Sequence, residues 1–253
     1  MMQSSAYCNI YVGRDAGKGL IRNIDKAEKS IKIVSPFLSP SLITKLIELN
    51  RKNIDIKLIT SNNIEDYKDV QNKKIYELII QNRTTNKEAE ERLKQLRNIK
   101  ITLRYIVYII ATFIFSYYYL FQDIIIAWGI IPLIVALFMI KWLTRKINRT
   151  RIYTYSYSQL FPFKVYLSPY KSNQSSSFIH SKIFIIDDKI AYLGSMNFTI
   201  SGLFHNHETV VWTSDSKALQ NIISEFESLM YHSNQPEMDI QLWGSQIYEE
   251  PIN

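Results

Sequence analysis

Between Phe178 and Thr199 runs FIHSKIFIIDDKIAYLGSMNFT, which concentrates the side chains able to do chemistry. Read as a strand over Ser177–Asp187, it puts His180 and Lys182 on one face, because alternate residues of an extended chain point the same way. Asp187 follows at the strand's end, beside an Asp-Asp-Lys turn. Gly194 permits a second tight turn. Ser195 and Asn197 then share a face at the start of a helix expected over Met196–Phe204. An imidazole that can act as a nucleophile, an ammonium, and hydroxyl and amide donors thus converge near a helix N-terminus. Such a set suits a tetrahedral anion, since the donors and the helix dipole all favour negative oxygen.

Taken singly, Lys182 is an ordinary surface lysine and Asp187 an ordinary turn acid. Their joint spacing with Gly194, Ser195 and Asn197 overturns that reading. The run resembles the HKD motif of the phospholipase D superfamily, H-x-K-x4-D followed by G-S-x-N, with His180, Lys182, Asp187, Gly194, Ser195 and Asn197 in register. Glu208 stands where the family has an acidic residue that orients the nucleophilic histidine. The resemblance implies an α/β fold, a phospholipase D-like mixed sheet flanked by helices, and a displacement at phosphorus that uses neither metal nor cofactor. In that scheme His180 attacks phosphorus to give a covalent phosphohistidine. Lys182 and Asn197 hold the non-bridging oxygens with support from Ser195; Glu208 fixes the ring tautomer of His180, and Asp187 orders the local network. A second histidine protonates the leaving oxygen and later activates water.

Only one HKD motif is present. His205 and His207 lack the following Lys and Asp spacing, and His232 stands alone. Single-motif members of the superfamily solve this with a homodimer whose site lies on the two-fold axis. The resemblance therefore implies a homodimer with a shared active site, each copy giving one His180. His205 and His207, read as lying on one strand with no third ligand, are assigned to a sheet edge or pocket rim rather than to a metal.

The elements that must hold these residues alternate. Gly17–Lys29 carries Leu20, Ile21, Ile24 and Ala27 at helical spacing. Ile31–Leu38 and Ile54–Ser61 read as strands around a helix that starts at Ser39-Pro40 and runs to about Lys52. The charged stretch from Ile64 to about Lys100 predicts one or two helices. Arg145–Phe161, basic and Tyr-rich, predicts another helix, with Tyr153, Tyr155 and Tyr157 as interfacial anchors. Lys164–Tyr170, Lys189–Ser195 and His207–Ser214 read as strands, Ser216–Tyr231 as a closing amphipathic helix, and the residues after His232 as a surface tail. GRDAGKG at Gly13–Gly19 lacks the spacing of a phosphate-binding P-loop and is read as a loop entering the first helix.

An insertion interrupts this pattern. Tyr105–Phe121 and Ile124–Ile140 are each seventeen residues without a formal charge, separated by Gln122-Asp123. One helix through both would run roughly 54 Å, against a hydrocarbon core of roughly 30 Å, so two crossings are expected. Arg92, Lys94, Arg97, Lys100 and Arg104 precede the stretch, and Lys141, Arg145, Lys146, Arg149 and Arg151 follow it. By the positive-inside tendency both ends face the cytoplasm. The expected organisation is a first part of a cytoplasmic α/β domain over 1–100, a transmembrane helical hairpin over 101–146, and a second part carrying the HKD motif over 147–253. The expected location is the inner (plasma) membrane of a bacterium, with both termini cytoplasmic. Met1–Tyr7 is short and polar, so no secretory signal is expected.

The 253 residues carry a formal charge of +7, from 30 basic and 23 acidic residues. The ten flanking cations account for more than that excess, leaving twenty basic residues against the 23 acidic ones. Basicity is therefore a collar for anionic lipid head groups, worth about 1 kcal/mol per cation at a membrane surface, and weak support for nucleic acid. The single Cys8 excludes an internal disulfide framework and any cysteine-cluster zinc site. The expected partners are membrane lipid and a phosphodiester substrate. The charge arithmetic leans to phospholipid; a membrane-tethered endonuclease is the alternative, and a non-catalytic scaffold the reading from another class.

Overall fold

The computed structural model describes residues 6–62, 74–122, 128–167 and 179–253, in two compact units. The first unit comprises Met1–Ile80 and Tyr157–Ile247. Its elements are β1 (Asn9–Gly13), α1 (Lys18–Asp25), β2 (Ser30–Val34), α2 (Pro40–Arg51) and β3 (Asp55–Ser61). After the second unit intervenes come β6 (Phe163–Tyr166), β7 (Ile183–Ile186), β8 (Ile190–Gly194), β9 (Glu208–Thr213), α5 (Ser216–Tyr231) and α6 (Ile240–Ile247). The second unit, Gln81–Ser156 with Tyr248–Asn253, contains most of β4 (Ile79–Thr85) and β5 (Tyr153–Gln159), together with α3 (Lys87–Phe121) and α4 (Ile130–Arg149).

Seven strands of the first unit form one mixed sheet in the order β1-β9-β8-β7-β2-β3-β6. β2, β3 and β6 are parallel neighbours, whereas β7, β8, β9 and β1 join antiparallel. Alternation along the strands sorts the apolar side chains onto two faces. Val34, Ile59, Ile183, Ile185 and Ala191 pack with Leu219, Phe226 and Met230 of α5. The alternate residues, including Ile33, Leu58, Phe184 and Tyr192, point to the opposite face, where the Asn23 amide of α1 donates to the Tyr192 hydroxyl at 2.6 Å. Lys32 is buried on the α5 side and offsets that cost with ion pairs to Asp188 at 3.0 Å and Glu227 at 3.2 Å.

The mixed α/β sheet agrees with the expected fold class, and α5 matches its expected range. Other expectations need correction. Of the helical reading from Ile64 to Lys100, residues 64–73 lie outside the described set. The described remainder begins as a 3-10 turn, Lys74–Leu78, and strand β4 before the helix starts at Lys87. The physical reason is local: IIQNRTT is rich in β-branched residues, and the Asn86 side chain accepts from the Ala89 N–H at 3.1 Å, fixing the helix start. The helix expected over Arg145–Phe161 ends at Arg149 and gives way to β5, whose YTYSYSQ alternation is a strand period and which pairs with β4. Tyr157 is consequently buried rather than interfacial, and the Tyr155 hydroxyl donates to the Pro251 carbonyl at 2.8 Å. The expected surface tail contains α6, where Gly244 lies so close to the Tyr157 ring that a Cβ would meet it at 2.2 Å.

In the second unit α3 is continuous for 35 residues, roughly 52 Å at 1.5 Å per residue. It is long and apolar enough to cross a membrane, and none of its apolar window is buried. Among the described residues it is the one helix that meets that test. The helix expected over Ile124–Ile140 is described from Ile130, within α4; residues 123–127 lie outside the described set. α3 and α4 pack together, with Ile114 against Gly129, while Ile131, Val135, Phe138 and Trp142 of α4 remain exposed. At the foot of this pair Leu93, Ile147 and Ile152 form a small buried cluster.

Candidate active site

His180 and Lys182 enter β7 from outside the ladder: the strand begins at Ile183, and residues 179–182 are not in a regular strand. Phe178, the first residue of the motif run, lies outside the described set. The expected shared strand face is therefore replaced by a local geometry. Ile179 and Lys182 are buried whereas His180 and Ser181 are exposed, so hydrophobic anchoring of Ile179 leaves the imidazole residue at the surface. The Lys182 Nζ donates to the His180 carbonyl at 2.7 Å. That contact draws a 6%-exposed ammonium back over the residue that carries the imidazole.

Glu208 is also buried, at the first position of β9 opposite Gly13 of β1. Its carboxylate accepts a hydrogen bond from Ser195 Oγ and another from the Asn206 side chain at 3.2 Å. Burial lowers the pKa of Lys182, and the negative charge of Glu208 acts in the opposite sense, pulling it up. Lys182 and Glu208 are thus two buried groups of opposite charge. Ser195 is locked from three sides: its N–H donates to the Thr209 carbonyl at 3.0 Å, its Oγ accepts from the Thr209 N–H at 3.1 Å, and it donates to Glu208. Gly194 makes this approach possible, because a Cβ there would sit 2.0 Å from the Thr209 carbonyl oxygen.

Asn197 follows on a segment clamped by the turn after β2. The Phe198 N–H donates to Ser35 Oγ at 2.8 Å, the Ile200 N–H donates to Ser39 Oγ at 3.0 Å, and Leu38 bridges Phe198. Ser39 is the N-cap residue of α2, and its hydroxyl holds this segment instead of bonding the first turn of the helix. The helix expected over Met196–Phe204 is reduced to a single π-type turn, Ser201–His205. Asn197 Oδ1 is buried with no hydrogen-bond partner among the described residues. Buried polar atoms in that state are uncommon.

Asp187 is elsewhere. It sits at the other end of β7 from Lys182, five residues away, or roughly 16 Å at 3.3 Å per residue. Its carboxylate accepts from the backbone N–H groups of Lys29 at 2.7 Å, Ser30 at 2.9 Å and Glu28 at 3.1 Å. Burial alone would raise its pKa, but these three donors and Lys189 hold it below the usual carboxylate value. Asp187 staples the α1–β2 connection to the β7–β8 hairpin. His205 and His207 do not share a strand, since His205 closes the π-type turn and β9 begins only at Glu208. Among the described residues no cluster of three metal-binding side chains occurs.

The sequence reading missed Asn206, Ser35 and Ser39. Asn206 stood between two more conspicuous histidines, and the repeated Ser-Pro of SPFLSP (Ser35–Pro40) was the available signal for the two serines.

The family model described as "Cardiolipin synthase, PLD-like domain" matches residues 20–230, which includes every one of these positions. The chain belongs to the phospholipase D superfamily. Enzymes of that superfamily act on phosphodiester substrates, as hydrolases or transferases, and the mixed sheet of this chain fits a PLD-like domain. The mitochondrial cardiolipin hydrolase of Xenopus laevis is 29% identical over 72 residues, which are 28% of this chain and 34% of that protein. The matched segment spans about a third of that curated relative. Among solved structures, NucT from Helicobacter pylori is 16% identical with a TM-score of 0.46, covering 90% of this chain and 96% of its own. The phospholipase D family member Nuc from Salmonella typhimurium is 13% identical with a TM-score of 0.42, covering 92% and 99%.

Proposed function

We propose that this PLD-like chain is a membrane-anchored enzyme that hydrolyses a phospholipid phosphodiester through a phosphohistidine on His180. The observation that carries the chemistry is buried Lys182, whose Nζ donates to the carbonyl of exposed His180 at 2.7 Å. An imidazole nitrogen of His180 gives its lone pair to phosphorus while the bond from phosphorus to the leaving alcohol oxygen breaks. His180 of a second copy supplies the proton that this oxygen takes up. The same imidazole then removes a proton from water, whose oxygen attacks phosphorus and releases the first His180. During the displacement Lys182 exchanges the His180 carbonyl for a non-bridging oxygen, and the Asn197 amide binds the same group. Glu208 keeps Lys182 protonated and, through its bond to Ser195, keeps β8 and β9 in place around the phosphorus.

The lean to lipid rests on α3, whose apolar window is exposed, and on the cations that flank it. In this reading α3 and α4 form a two-pass hairpin with both soluble parts on the cytoplasmic side, and anchoring presents substrate at high effective concentration. The name of the Xenopus relative, a cardiolipin hydrolase, agrees with a phospholipid substrate. For the second copy, Ile10 and Val12 on edge strand β1 are 65% and 59% exposed, and β1 ends where Gly13 pairs with Glu208. They are the apolar surface that a two-fold partner would cover.

The test is one assay with parallel substrates. Purified full-length protein in detergent is offered labelled phosphatidylglycerol and cardiolipin vesicles, and single- and double-stranded DNA and RNA, all with EDTA. Phospholipid hydrolysis that persists in EDTA and disappears in His180→Ala is the expected result. Cleavage of nucleic acid with lipid untouched would transfer the assignment to a membrane-tethered endonuclease, and loss of all turnover in EDTA would overturn the phosphohistidine.

A further inference from the structure

The Gly13–Gly19 segment, GRDAGKG, finds no use in the chemistry above. Asp15, Ala16, Lys18 and Gly19 of this segment line an open cavity of about 570 Å³ over the β8–β9–β1 end of the sheet. That volume lies within the roughly 300–1,000 Å³ typical of small-molecule sites. Neither His180, Lys182, Asn197 nor Glu208 lines it. One wall is the exposed side of α1, where Lys18, Arg22 and Lys26 recur every fourth residue and so stand in a row roughly 12 Å long. The facing wall is aromatic: Tyr11, Tyr192 and Trp212.

The two walls have different chemistry. Lys18 is neutralised by Asp15 at 2.9 Å, and the Arg22 Nε donates to the Lys18 carbonyl at 3.4 Å. Among the described residues neither Arg22 nor Lys26 has an acidic partner within ion-pairing distance, so two cations face the cavity uncompensated. On the other side the Tyr192 and Trp212 rings are stacked, with centroids 6.2 Å apart and planes 24° apart. The bond from Asn23 to the Tyr192 hydroxyl fixes this platform against α1. Trp212 is half-buried, leaving part of its indole open to the cavity.

A planar aromatic surface opposite free cations matches a ligand that is itself aromatic at one end and anionic at the other. We propose that this cavity binds a nucleotide unit, with the base against Trp212 and Tyr11 and the phosphates on Arg22 and Lys26. The same chemistry is offered by a free nucleotide and by one unit of a single strand. Gly17 ties the cavity to the active-site segment: its N–H donates to the Leu203 carbonyl at 2.9 Å, and a Cβ on it would meet Leu203 at 2.4 Å. Leu203 belongs to the π-type turn that follows Asn197. The site is independent of whether His180 forms a phosphohistidine, and the experiment keeps the two apart.

Full-length protein in detergent is titrated calorimetrically with ADP, adenosine, inorganic phosphate and a twelve-residue oligothymidylate, for wild type, His180→Ala, Trp212→Leu and the Arg22→Gln/Lys26→Gln double variant. ADP should bind below about 1 mM, with adenosine and phosphate each at least about tenfold weaker, since each offers half of the recognition. Trp212→Leu and the double variant should each weaken ADP about tenfold or more, and His180→Ala should leave it unchanged. The double variant alters exposed side chains only, so it reports on binding even if Trp212→Leu fails to fold. Oligothymidylate binding more tightly than ADP, with the same response to the variants, identifies a strand as the source. No binding of either probe at about 1 mM, or binding indifferent to both cavity variants, overturns the proposal.

Discussion

Lys182 is held in a position that a lysine rarely accepts: 6% exposed, with its Nζ bonded to the His180 carbonyl and the charge of Glu208 acting to hold its proton. Burial drives its pKa down and Glu208 opposes that shift. In the proposed reaction the protonated form is the one that binds a non-bridging oxygen, so with a substrate whose leaving group needs no proton from the second His180 the high-pH side of the rate profile reports the loss of the Lys182 proton. Replacing Glu208 by Gln removes the opposing charge while keeping the side-chain size. The Lys182 pKa should then fall further, and the basic limb of the kcat/KM profile should move to lower pH in Glu208→Gln than in wild type. A limb that stays put, measured on a soluble chromogenic phosphodiester, would separate Glu208 from the charge state of Lys182. Asn197 belongs to the same scale: its buried side-chain oxygen has no hydrogen-bond partner among the described residues and can only accept, so in the proposed reaction the amide NH2 is what binds the phosphate oxygen.

Between elements, Asp187 is the clearest joint. Both Asp187 and Asp188 adopt positive φ, 53° and 52°, in the tight turn between β7 and β8, where the Lys189 N–H donates to the Ile186 carbonyl at 3.0 Å. The carboxylate then gathers three backbone donors from the α1–β2 connection. Asp187→Asn keeps the shape and loses the charge, which should cost ~1–2 kcal/mol given a half-exposed turn. Because the folded pKa lies below the usual 3.8, this stabilisation is complete above that value and is lost as pH falls through the folded pKa. Chemical denaturation should therefore show a gap between wild type and Asp187→Asn at pH 7 that closes as pH falls below the usual 3.8; a gap constant with pH would refute the charge-based account.

The same scale explains what could be foreseen. Helix α5 was legible because its apolar positions repeat with helical period and Asp215 caps it, accepting from the Ala218 N–H at 2.9 Å. β5 was not, because its flanking arginines and lysine belong to the foot of α4 and made one basic segment of two elements. β1 escaped notice since it is an exposed edge strand whose partner β9 lies almost 200 residues later, a pairing that no local window carries. The motif spacing identified the superfamily while mis-stating how its residues are supported. His180 and Lys182 are set outside the ladder, where buried Ile179 and Lys182 bracket exposed His180 and Ser181, and Asp187 by a turn at the strand's remote end.

For the whole molecule the proposed reaction demands two imidazoles, one to attack and one to carry the proton, and the HKD motif supplies one per chain. A two-fold pair brings them together and makes the two sites one. If so, activity cannot be a property of a single wild-type chain. Co-expressing wild type with His180→Ala in equal amounts pairs about half of the wild-type chains with a mutant partner under random assembly, so activity per wild-type chain should fall to about half. With mutant in large excess it should fall towards zero. Chains that each hold a complete site predict instead a constant activity per wild-type chain at every ratio. Differently tagged copies purified through both tags isolate the mixed pair, and full turnover in that fraction would refute the shared site. The mixed pair lacks either the nucleophile or the proton donor, whichever way round the substrate binds. A substrate whose leaving group needs no proton, such as a nitrophenyl ester, should therefore still release its alcohol once in the orientation that presents the intact His180, and stall at the phosphohistidine for want of a base to activate water.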